Sequence, residues 1–119
     1  DCDVRDVNLL KSGRHFRLDG HTKAVVGRDD AENQRLETLV REGDALLRLA
    51  DIPGPLCLVR GDLTDENLLA AARLTARFSK AKDMPLVQVT VGVDGVESTL
   101  EVAPADPARV QERMITKNK

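Results

Sequence analysis

The side chains in this sequence that could act as nucleophiles, bases or metal ligands are few and scattered. Its two histidines are His15 and His21, and its two cysteines are Cys2 and Cys57. Acyl transfer needs a Ser or Cys beside a positioned imidazole, and neither histidine lies in a nucleophile elbow or comparable local signature. A structural zinc site needs about four nitrogen or sulfur ligands at short spacings, which this set does not offer. Phosphate-loop and dinucleotide patterns such as GxGxxG are also missing after every predicted strand. The sequence therefore predicts a domain without catalytic residues, metal or cofactor of its own.

What remains is charge. Gly27-Arg28-Asp29 stands at a predicted strand-to-helix junction, where backbone amides can receive a phosphate. Asp29 or Asp30 can instead occupy that place as the helix cap. The acidic run Asp62, Asp65 and Glu66 fits the first turn of a helix, where the dipole favours carboxylates without any metal. A net charge of −2 argues against a protein that coats nucleic acid indiscriminately. Its distribution says more. Residues 11–28 carry Lys11, Arg14, Arg17, Lys23 and Arg28 against Asp19, and residues 71–83 carry Arg73, Arg77, Lys80 and Lys82 against Asp83. The acids concentrate between 29 and 66, so one basic face on a weakly acidic body is possible.

Those cations must be positioned by elements that the hydrophobic pattern delimits. Phe16 and Leu18 alternate with His15 and Arg17, Asp19-Gly20 supplies a tight turn, and Lys23 to Val26 resumes the extended pattern. A helix follows, capped by Asp29 or Asp30, with Glu32 placed for a capping box if Asp29 is the cap. Its apolar positions are Leu36, Leu39 and Val40, and Gly43 is expected as its C-terminal cap. Ala45–Ala50 and Leu56–Val59 read as strands around the rigid Pro53-Gly54-Pro55 loop. From Thr64 to Ser79 the spacing of Leu68, Leu69, Ala72 and Ala76 is helical, with Asp62 or Thr64 as cap and Arg73, Arg77 and Lys80 on another side. That side is either an ordinary solvated face or a contact for a polyanion. Val87 to Val93 and Val96 to Val102 alternate around Asp94-Gly95, a two-residue hairpin signal. Ala108 to Ile115 could form a short terminal helix.

This order predicts an α+β domain: a largely antiparallel sheet built from hairpins, with two main helices and a short C-terminal helix packed on it. The 119 residues fit one domain. The core must be aliphatic, because Trp and Tyr are absent and the aromatics are Phe16 and Phe78. No stretch reaches the roughly 20 apolar residues of a membrane span, and the start lacks the regions of a signal peptide. With two distant cysteines, a soluble, reduced, cytoplasmic setting is expected. Cys57 sits in Leu56-Cys57-Leu58-Val59 as a small buried hydrophobe. The start at Asp1 without a methionine suggests a fragment of a larger protein.

Three blocks resemble the RNA-binding domain of the NFACT family, which comprises proteins of stalled-ribosome quality control and bacterial relatives once described as fibronectin-binding. They are Gly13-Arg14-His15-Phe16-Arg17 with Val25-Val26-Gly27-Arg28 and Glu32-Asn33; Gly43-Asp44 through Pro53-Gly54; and Ala71-Ala72 through Ser79-Lys80-Ala81-Lys82. The version here is most similar to the variant appended to ThiI-like tRNA thiouridine synthases. The resemblance implies a non-catalytic RNA-binding domain that positions tRNA, or ribosome-associated RNA, for a neighbouring thiolation domain of a tRNA-modification protein. It supports Gly27-Arg28, Asn33, Pro53-Gly54 and Ser79-Lys80 as positions matching its motifs, with Gly27 and Pro53-Gly54 expected to fix backbone turns. Arg28, Lys80 and Lys82 become phosphate-contact candidates; Arg14, His15, Arg17, Lys23, Arg73 and Arg77 join them by charge and expected facing. After Gly43-Asp44 the family is rich in Trp, Phe and His, whereas this chain has Ala45-Leu46-Leu47-Arg48. That departure favours folded or duplex RNA over single strands. The rival expectation is a protein-interaction or dimerisation module pairing through an open edge at Leu86–Val93, and a homo-oligomer is compatible with either.

Overall fold

The computed structural model describes residues 13–105. The predicted helix over 108–115, Cys2 and Lys11 lie outside the described residues. In chain order the elements are β1 (Arg14–Arg17), β2 (Lys23–Val26), α1 (Asp30–Leu39), β3 (Ala45–Leu49), β4 (Cys57–Arg60), α2 (Asp65–Arg77), β5 (Val87–Val93) and β6 (Val96–Val102). The strands form one six-stranded sheet in the order β1-β2-β4-β3-β5-β6. Every pair in it is antiparallel. This is the α+β architecture that the hairpin pattern implies.

Strand alternation sends successive side chains to opposite faces, and both faces are used. Phe16, Ala24, Val26, Leu47, Cys57, Val59, Val89 and Val102 form the main core beneath α2, while Val25 and Leu58 meet Leu36 and Leu39 of α1 on the reverse. Small side chains complete the main core: Ala71, Ala72 and Ala76 of α2, with Ala45 and Ala81, are all essentially buried. Small residues let a helix lie close to a sheet, and large aliphatics on the strands then fill the interval. The buried side of α2 thus runs through Ala71, Ala72, Leu74 and Thr75, and Leu69, expected on it, is exposed. Cys57 is fully buried, and desolvation pushes its thiol up to about 12.

The hairpin between β5 and β6 has the two-residue register read from the sequence, with Val93 opposite Val96 and Val87 opposite Val102. Asp94 and Gly95 both have positive φ, as that turn requires. The first hairpin is looser than a two-residue Asp-Gly turn. Arg17 pairs with Lys23, so residues 18–22 connect the strands, and the Leu18 amide donates to the Thr22 carbonyl. The Asp19 carboxylate closes this loop by accepting from the His21 amide and from Asn67 Nδ2 at the start of α2. The Asn67 hydrogen bond, helped by the His21 amide, holds Asp19 down at about 2.

Thr64 caps α2 by accepting from the Asn67 amide, and Asp29 caps α1 by accepting from the Glu32 amide. Helix α1 ends at Leu39, not at Gly43. Arg60 Nη2 bonds the Leu39 carbonyl and pairs with the buried Asp44 at 2.7 Å, anchoring the helix end to the sheet. Gly43, with φ +88°, lies in the turn beyond and donates its amide to Asp94 Oδ1. The rival reading's open edge at Leu86–Val93 is corrected here: β5 is paired with both β3 and β6, and the sheet edges are β1 and β6. No described helix is long and apolar enough to cross a membrane.

Candidate nucleic-acid interface

A groove of about 300 Å³ opens where β1, the β2–α1 junction, the Pro53–Pro55 loop and the end of α2 meet. Its cations are Arg14, Arg28 and Lys80, which come from three separated parts of the chain. Asp29 and Asp30 share the lining, so the cations exceed the acids only slightly. Asp29 is already engaged as the α1 cap.

The junction is built around Gly27 and Asn33. Asn33 Oδ1 accepts from the Leu56 amide at 3.0 Å, and the Gly27 amide donates to the Leu56 carbonyl, so loop and junction are stitched together. The Leu56 N–H donor identifies which Asn33 amide atom is oxygen, and Nδ2 then has no hydrogen-bond partner among the described residues. A Cβ at Gly27 would lie 2.1 Å from Asn33 Oδ1, and one at Gly54 would lie 2.8 Å from Leu49 Cδ1. Neither glycine has a positive φ. Both stand in connections between elements, and what requires glycine there is the close approach of neighbouring atoms.

Arg28 is held by Glu32. Its Nε and Nη2 donate to the Glu32 carboxylate, with a shortest distance of 2.7 Å, and its own amide donates to Glu32 Oε1. The capping-box glutamate thus reaches one residue further back than the cap. Chiefly through these Arg28 hydrogen bonds, the Glu32 carboxyl falls to about 2 despite the opposing effect of burial. The Arg28 side chain is still 54% exposed, so it can present its remaining donors outward.

On the other side of the groove, Arg14 Cζ lies 4.5 Å from the Phe78 ring centroid. Phe78 packs in turn on the buried Phe16, with centroids 5.6 Å apart. Ser79 is buried and serves the backbone: its hydroxyl donates to the Ala76 carbonyl and accepts from the Ala81 amide. Lys80 follows it into solvent, without an ion pair among the described residues.

The positions chosen from sequence motifs, Gly27, Arg28, Asn33, Pro53, Gly54, Ser79 and Lys80, therefore all line one groove. Of those added by charge, only Arg14 joins them. His15 is 8% exposed and faces the α1 side of the sheet, so burial keeps it from a ligand in this groove. Arg17 and Lys23, paired across β1 and β2, point to that same reverse face. Arg73 Nε bonds the Ala103 carbonyl near the end of β6. Arg77 is half-buried and Lys82 exposed, both outside the groove lining. The expected single basic face combining the first hairpin with the second helix is thus reduced to Arg14, Arg28 and Lys80. The residues that sequence reasoning missed are Phe78 and Pro55. Phe78's rarity as one of two aromatics, directly before Ser79-Lys80, was the available signal.

The sequence profile described as the NFACT protein RNA binding domain matches residues 13–114. The chain belongs to this family. It is 35% identical over 82 residues to the Rqc2 homolog RqcH of Streptococcus suis, covering 66% of this chain and 15% of that protein. To the Rqc2 homolog RqcH of Bacillus subtilis it is 39% identical over 67 residues, covering 55% and 12%. This NFACT domain thus spans a small part of those relatives. Its fold is similar to the structure of the C-terminal part of the fibronectin/fibrinogen-binding protein from Streptococcus suis. That match has a TM-score of 0.77 and 27% identity over 87% of this chain and 49% of that one. Among the described residues there is no cluster of three or more His, Cys, Asp or Glu able to hold a metal ion.

Proposed function

We propose that this NFACT domain binds RNA in the groove between the β2–α1 junction and the end of α2. Arg28 and Lys80 contact phosphate there, Arg14 adds its positive charge to the same surface, and the domain positions tRNA, or ribosome-associated RNA, for a neighbouring catalytic module. The observation that carries this reading is the convergence of three cations from distant segments on one concave surface, in a family named for RNA binding. Arg and Lys at such a surface supply attraction to phosphate that does not depend on sequence. With two aspartates nearby, affinity is modest and falls steeply with salt.

The thiouridine-synthase context extends this proposal. Its support is the resemblance of this chain to the variant appended to ThiI-like tRNA thiouridine synthases, in which the neighbouring module would thiolate the tRNA base. The relatives named RqcH leave the ribosome-associated alternative in place.

The test is titration of purified tRNA against the wild-type domain and the variant carrying Lys80→Ala with Lys82→Ala at several salt concentrations. The variant binds more weakly, and its salt slope flattens by about 0.7–0.9 for each phosphate that the protein no longer neutralises. Because Lys82 lies outside the groove, most of the loss belongs to Lys80. Unchanged binding overturns the proposal. For the context, deleting the domain from its parent protein removes thiouridine from cellular tRNA; unaltered thiouridine overturns that part alone.

A further inference from the structure

We infer, resting on the RNA reading above, that the groove takes one unpaired nucleotide of a single-stranded RNA segment, with its base laid on the Arg14–Phe78 stack and its phosphate between Arg28 and Lys80. Guanidinium planes and aromatic rings are the surfaces on which splayed RNA bases lie. Here the two are already combined, with Arg14 Cζ 4.5 Å from the Phe78 centroid. The stack is anchored in the core through Phe16, which is fully buried. A preassembled platform of this kind avoids the ordering cost of bringing a flexible arginine to a ligand.

The rest of the lining suits a nucleotide better than a bare phosphate or a helix. Contact with phosphates alone has no use for apolar walls, yet Phe78, Pro53 and Pro55 all line the groove beside the cations. A volume of about 300 Å³ is at the lower end of small-ligand sites and fits a single nucleotide unit. A-form duplex is instead recognised by contacts spread across successive grooves, which calls for an extended row of cations. Among the described residues, Arg14, Arg28 and Lys80 are the cations that line the groove, Arg17 and Lys23 face away across the sheet, and Arg73 is turned toward Ala103. The aliphatic segment after Gly43-Asp44 offers no ring for stacking, but Phe78, directly after α2, brings one to the groove.

The experiment measures binding of a single-stranded RNA of about 12 nucleotides, and of the same strand annealed to its complement, by anisotropy at matched salt. The comparison uses the wild-type domain, Arg14→Lys and Phe78→Leu. Arg14→Lys keeps the charge and removes the guanidinium plane, and thermal melting checks that each variant is folded. The wild type prefers the single strand, and Arg14→Lys loses roughly ten-fold in single-strand affinity while its duplex affinity stays the same. Equal binding of both RNAs by the wild type, or a single-strand preference that survives in Arg14→Lys, overturns this inference and leaves the RNA reading intact. Absence of binding to either RNA overturns both.

Discussion

Substituting Gly27 by alanine tests how the groove is assembled. The added Cβ would meet Asn33 Oδ1 at 2.1 Å and the Asn33 backbone nitrogen at 3.2 Å. The nitrogen cannot retreat without moving α1, so the side chain must swing away and break its 3.0 Å bond from the Leu56 amide. Leaving a partly buried N–H without its acceptor costs about 1–3 kcal/mol. For a chain of 119 residues each kcal/mol lowers the melting midpoint by about 4 °C, so a fall of several degrees is expected. Urea unfolding of Gly27→Ala, Asn33→Ala and the double variant separates the clash from other effects. If the clash is the cause, the double variant is little less stable than Asn33→Ala alone, a coupling of about 1 kcal/mol or more. Gly20→Ala is the control, because nothing lies within 4 Å of its Cβ and its φ is not positive. Additive losses in the double variant, or a Gly27→Ala protein as stable as the wild type, would refute the reasoning.

Further predictions concern charge and burial. Glu32→Gln frees Arg28 from a competing carboxylate while keeping an acceptor at that position, so it strengthens RNA binding several-fold and steepens the salt dependence; titration at several salt concentrations reads both. Glu32 and Asp19 are each held at about 2, below their ordinary 4.5 and 3.8. Their contribution to stability is therefore complete above those ordinary values and is lost as pH falls through about 2, which urea midpoints taken from about pH 5 downward detect. Asp19→Asn with Glu32→Gln flattens that decline. In a Cys2→Ser background, Cys57 resists thiol reagents under native conditions and reacts at the rate of unfolding, as its burial and its rise to about 12 require.

Much of the fold was legible because its signals are local. Asp94-Gly95 between two alternating valine runs specifies both turn and register, and the Pro53–Pro55 break separates two strands that then pair with each other. The caps Asp29 and Thr64 stand where short-range hydrogen bonding places them. Facing was legible only in part. A strand's alternation shows that Arg14 and Arg17 lie on opposite faces, but not which face receives which helix. Arg14 reaches the groove because Phe16 faces α2, and Arg17 leaves it because Arg14, Phe16 and Leu18 alternate against His15 and Arg17. The Gly27–Asn33–Leu56 cluster depends on hydrogen bonds and packing between residues far apart in the chain, which no periodicity reports. Family motifs did collect Gly27 and Asn33, since they mark sites in the fold irrespective of chain distance, but not Leu56, whose backbone joins the two.

The central claim, that RNA lies in the groove and not on the reverse face of the sheet, is tested most directly by two variants with the same change in net charge. One carries Arg14→Gln and Lys80→Gln in the groove; the other carries Arg17→Gln and Lys23→Gln on the reverse face. With tRNA titrated at several salt concentrations, the groove variant should lose affinity and flatten its salt slope by up to about 2, while the reverse-face variant stays close to the wild type. Equal losses in the two variants, or a larger one in the reverse-face variant, would contradict the account.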